Sequence, residues 1–137
     1  MFIAKSIREK SVVEYLLYMW QMEDLIRAYG CSLTRIRREY IDRFEYTDQQ
    51  KDEEEDWFGD LIRMMNQEGK REKGHLAINE VLLQDLGDLH VRLLQSTRFP
   101  FYSAEYYRVL PFIVELRQKG DKEIGEVETC LNALYGV

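Results

Sequence analysis

Four ionisable side chains stand on helix faces that are otherwise apolar. At helical periodicity Glu23 and Arg27 fall on the angular side of Leu16 and Trp20, and Arg37 sits inside the arc formed by Leu33, Tyr40 and Phe44. His90 lies among Leu83, Leu86, Leu93 and Leu94. An isolated charge taken out of water is strongly destabilising, so such groups must pair with one another or with a ligand. Two chemistries follow. One is an internal ion-pair network that holds the first two strongly patterned helices in register. The other is a polar pocket for a small anionic ligand, lined by Trp20 and neighbouring tyrosines, which His90 could join.

Other routes to chemistry are weakly marked. The chain has no Gly-x-Ser-x-Gly elbow and no glycine-rich phosphate loop. Cys31 and Cys130 have no histidine nearby in sequence to activate them and read as small apolar fillers. His75 and His90 share one expected helix, which places them about 22 Å apart, too far to hold one metal. Glu72-x-x-His75 is half of a di-iron helix motif, but Gly74 interrupts it and no second copy follows. No metal site and no cofactor is expected. Asp52-Glu53-x-x-Asp56 and Asp85-x-x-Asp88 loosely resemble the Glu-Glu-x-x-Glu and Glu-x-x-Asp motifs of small all-helical, metal-dependent nucleotide pyrophosphatases. Their facing argues against the match, since the first set lies opposite the Phe58, Leu61, Ile62, Met65 stripe and Asp88 faces the polar side with Arg92. The enzyme therefore stands as the alternative to a binding module.

The elements that must position these residues are helices. Ser11 to Gly30 spells a nearly all-round apolar helix, with Ser11 and Glu14 as a capping box and Gly30 as a left-handed stop. Further helices are expected over 32–46, over 47–68 from a Thr47/Gln50 capping box, and over 75–96, the last a second central post. Arg98-Phe99-Pro100-Phe101-Tyr102 reads as a break, followed by helices over 104–119 and 122–135, with Pro111 kinking the former. The fold class is all-α: one domain over 1–137, an antiparallel bundle of five to six helices, with the helices over 11–30 and 75–96 central. Phe99, Phe101, Tyr102 and Tyr106 concentrate around Pro100 and are the candidate contact surface for a protein partner or a second copy.

Composition narrows the classes. The net charge is −6, and residues 47–69 alone sum to −6, so the imbalance is a single acidic helix start and not a distributed field. No basic face is available to neutralise phosphates, which argues against nucleic acid. No apolar run reaches the length of a membrane span, the N-terminus has no leader pattern, and two isolated cysteines suit a reducing compartment. A cytoplasmic setting is expected.

Residues 14–27, EYLLYMWQMEDLIR, preceded by Ile3-Ala4-Lys5 and Arg8-Glu9-Lys10, resemble the start of an uncharacterised family of small all-helical bacterial proteins of the Bacteroides kind. The resemblance implies an intracellular helical protein and transfers no catalytic residue. The expected role is a non-enzymatic interaction or regulatory module, with a small-anion-binding protein or a pyrophosphatase-like enzyme as its competitors.

Overall fold

The computed structural model describes residues 2–136, so the expected domain limits Met1 and Val137 lie outside the described residues. Among them the chain forms seven α-helices and one 3-10 turn, with no strand. The helices are α1 (Phe2–Lys10), α2 (Val12–Ala28), α3 (Leu33–Glu39), α4 (Asp48–Gln67), α5 (Ala77–Gln95), α6 (Pro100–Lys119) and α7 (Glu126–Tyr135). Packing divides them into two compact units, one reaching Glu80 and the other beginning at Val81, inside α5.

Helix ends in the first unit are set locally. Ser11 and Ser32 accept the backbone N–H of Glu14 and Arg35, and Thr47 and Gln50 satisfy each other's backbone donors in a complete capping box. Gly30 and Gly69 stop α2 and α4 at φ 65° and 68°, and the N–H groups of Cys31 and Lys70 reach back to Ile26 and Met65 at 2.8 Å. One expected helix in this unit ends early. The helix expected over 32–46 ends at Glu39, and a 3-10 turn, Ile41–Arg43, follows. Ile36 and Ile41 are both buried, yet five residues apart they would point to different sides of one α-helix. Breaking the helix at Tyr40 lets both reach the core. The additional helix is α1, whose Ala4 is buried against that core.

The first unit's core is Ala4, Met19, Met22, Ile26, Ile36, Ile41, Phe58, Leu61, Met65 and Leu76. Helix α2 supplies six buried residues and is a true central post. Helix α5 is not a second one: Asn79 is its sole buried residue among those described. Its leucines divide between two stripes, one through Leu82, Leu86, Leu89 and Leu93 and one through Leu83, His90 and Leu94, so neither face is fully covered.

In the second unit Pro100 does not end order. It starts α6 in the first turn, where its missing N–H has no helical partner to lose. Phe101 and Tyr102 are therefore helical. The expected last helix begins later, at Glu126, because Asp121 Oδ1 accepts the Glu123 N–H at 2.8 Å and holds 121–123 as a turn.

Candidate functional site

In the first unit the awkward charges hold backbone. Glu23, only 1% exposed, accepts the Leu76 N–H at 2.7 Å and the Asn79 side-chain N–H at 3.1 Å through Oε2. Its Oε1 lies 2.8 Å from His75 Nδ1, and the His75 ring stacks on Trp20 with centroids 4.3 Å apart and planes 14° from parallel. Glu68 Oε1 accepts the next free donor, the Ala77 N–H, at 2.8 Å. The start of α5 thus has two carboxylates on the donors that a helix N-terminus leaves unpaired. One turn after Glu23, Arg27 pairs with Asp24 and donates to the carbonyls of Lys70 and Gly74, which clamps the loop between α4 and α5. A cleft of about 490 Å³ opens beside it, lined by Arg27, Arg71, Lys73 and Glu72. Arg71 reaches Asn66 Oδ1 and the Gly30 carbonyl, so its guanidinium serves the C-terminal ends of α2 and α4. Arg37 goes elsewhere, to Asp42, Asp52 and Glu55 at 3.3, 3.0 and 2.6 Å. The bond to Asp52, more than any other, raises its already high pKa.

Of the five residues singled out for a polar pocket, only Trp20 and Glu23 meet at one centre, with His75 as the missing member. His90 belongs to the second unit.

There it forms a different arrangement. The Tyr102 hydroxyl lies 2.5 Å from His90 Nδ1, and His90 Nε2 lies 3.4 Å from Glu126 Oε2. Tyr106 donates its hydroxyl to the same carboxylate at 2.7 Å. With Tyr102 donating to Nδ1, the His90 proton is on Nε2, facing Glu126. These groups sit on one side of a cleft of about 240 Å³ whose other walls include Val109, Ile113, Val127, Cys130 and Leu131. The bond to Glu126, and then burial, pushes the Tyr106 phenol up to about 12. Burial also raises the Tyr102 phenol and the Cys130 thiol, which keeps Cys130 in the weakly nucleophilic form. The four aromatic residues around Pro100 accordingly split: Tyr102 and Tyr106 line the cleft, while Phe99 and Phe101 face solvent.

A family model described as a domain of unknown function, DUF4924, matches residues 1–137. The chain belongs to that family. Neither the curated proteins nor the solved structures contain a match to it. Membership in DUF4924 agrees with the resemblance to an uncharacterised family and brings no residue of known role.

The sequence marks His75 in this DUF4924 chain only as a weak metal ligand, and gives no sign of Asn79 or Glu126. His75 follows a glycine at an element boundary, and Glu126 opens α7, where an acidic residue has an ordinary reason to be. Their partners are distant along the chain, which no local pattern signals. Among the described residues no three His, Cys, Asp or Glu side chains are grouped to hold a metal ion, and no helix is long and apolar enough to cross a membrane.

Proposed function

We propose that this chain is a non-enzymatic interaction module, cytoplasmic and bacterial, that acts as a homodimer through α6. The supporting observation is the outward face of that helix, where Phe101 is 86%, Phe112 63% and Leu116 42% exposed. Residues 101, 105, 108, 112, 115 and 119 recur at steps of four and three, the spacing of a helix–helix seam. They are Phe, Glu, Arg, Phe, Glu and Lys. The order is self-complementary. Within one chain Glu105 pairs with Arg108 and Glu115 with Lys119. When a second α6 lies antiparallel across a two-fold axis near Phe112, Glu105 also meets Lys119 of the second copy and Arg108 meets its Glu115, at both ends alike. An isologous interface requires that symmetry. Phe112, removed from water at the axis, would contribute about 1.5–3 kcal/mol before the cost of association, whereas Phe101 lies past the end of the second helix. The reading also suits two free cysteines and the Arg37–Asp52 pair, which occupies a carboxylate that a magnesium-binding motif would need.

Sedimentation velocity over a concentration series tests it. Wild-type protein should run as a dimer and Phe112→Glu as a folded monomer. Glu105→Lys should weaken the dimer by placing lysine against Lys119, and Glu105→Lys with Lys119→Glu should restore it. A wild type monomeric at every concentration, or a double variant no better than the single one, would refute the dimer.

A further inference from the structure

The cleft of the second unit has a chemical asymmetry that self-association does not use. Every strong donor on its polar side is already committed. With His90 Nδ1 as the acceptor, Tyr102 gives it the hydroxyl proton, the Nε2–H faces Glu126, and Tyr106 gives its proton to Glu126. The acceptors among the lining residues include the Glu126 carboxylate and the phenol oxygens of Tyr102 and Tyr106. A carboxylate can accept about four hydrogen bonds, so Glu126 has capacity left.

Charge points the same way. Among the described residues no lysine or arginine lines the cleft, and its second carboxylate, Glu105, is bound to Arg108. Among the described residues no lysine or arginine forms an ion pair with Glu126, although the charge of Arg117 is felt at the Tyr106 phenol. It is partly shielded, with its side chain 31% exposed, and lies beside a histidine that is 14% exposed. In such surroundings a ligand cation gains more from the carboxylate than it would in water, and the faces of Tyr102 and Tyr106 are further sites for a positive group. An anion would meet a like charge with no donor to receive it. The remaining walls are aliphatic, from Val109, Ile113, Val127 and Leu131. A cavity of about 150 Å³ admits benzene, so the roughly 240 Å³ here holds a ring and a short arm.

We propose that this cleft is a binding site for a compact apolar primary amine, taken up as the ammonium ion, with its N–H donors on Glu126 and its apolar body among Val109, Ile113, Val127 and Leu131.

Isothermal titration of the full chain with three probes of one shape tests the site: 2-phenylethylamine, neutral 2-phenylethanol and anionic phenylacetate. The amine should bind saturably, about tenfold or more tighter than the alcohol, a ratio in the range of one charge-assisted hydrogen bond. Phenylacetate should not bind. Glu126→Gln should remove the advantage of the amine and leave the affinity for the alcohol unchanged, with its circular dichroism as in the wild type. Equal affinity for amine and alcohol, or no saturable binding of the amine, overturns the proposal. That ranking is read on unaltered protein, so it decides even when the variant fails to fold. Binding by Phe112→Glu protein in its monomeric form separates this site from the α6 seam.

Discussion

Two buried glutamates illustrate how single residues organise this chain. Glu23 receives donors from Leu76 and Asn79, and Glu54, 2% exposed, receives the backbone N–H of Phe2 at 3.0 Å. Each holds the start of a helix that begins far from it in sequence. Removing such an acceptor leaves buried donors unpaired, which costs more than the bond itself contributes. Glu23→Ala should therefore destabilise the chain by about 3 kcal/mol or more in urea denaturation, against about 0.5 kcal/mol or less for Glu39→Ala, whose partly exposed carboxylate makes a surface pair with Arg35. A loss under about 1 kcal/mol would show that the start of α5 is held by Glu68 alone. The angular position of Glu23 marks it as unusual in the sequence. Its partner His75 lies 52 residues away, and no local pattern joins the two.

Helix boundaries divide by the range of the interactions that set them. Those made within one turn of chain, at Ser11, Ser32, Thr47, Gly30 and Gly69, are readable from residue types, since a side-chain oxygen or a glycine acts on backbone groups three or four residues away. Thr47→Ala should cost about 1 kcal/mol, because it removes the oxygen that receives the Gln50 N–H at 3.2 Å. Thermal melts of Thr47→Ala beside Thr47→Ser, which keeps the hydroxyl, would isolate that bond. The break at Tyr40 is of another kind. It depends on Ile36 and Ile41 both reaching the core, where Tyr40 also sets its ring edge-on to Phe58 at 5.9 Å. Pro100 had two local meanings, end of one helix or start of the next, and the chain uses the second.

At the scale of the whole molecule the tyrosines respond together. The phenols of Tyr18, Tyr40, Tyr46, Tyr102 and Tyr106 are all raised above their ordinary value of 10.0, the first four mainly by burial and Tyr106, up to about 12, mainly by its bond to Glu126. A folded state that holds these protons more tightly than the unfolded chain is stabilised fully below pH 10 and loses that stabilisation as pH rises through the folded values. Stability to urea should fall between pH 10 and about 12, with tyrosinate absorbance appearing as the protein unfolds, and Tyr106→Phe should flatten part of that slope. A tyrosinate signal complete near pH 10 without unfolding would contradict it. By itself the sequence determined the helical class, the caps and stops, the dominance of α2, and which charges stand in unusual places. Those properties are carried by side chains acting within a few residues of their own backbone. The tertiary structure alone decided that Glu23 belongs to the start of α5, that Arg37 leaves it for an acidic helix, and that His90, Tyr102, Tyr106 and Glu126 share one cleft. Those arrangements join residues from different helices, and their energies depend on distance and burial that exist only once the helices have packed.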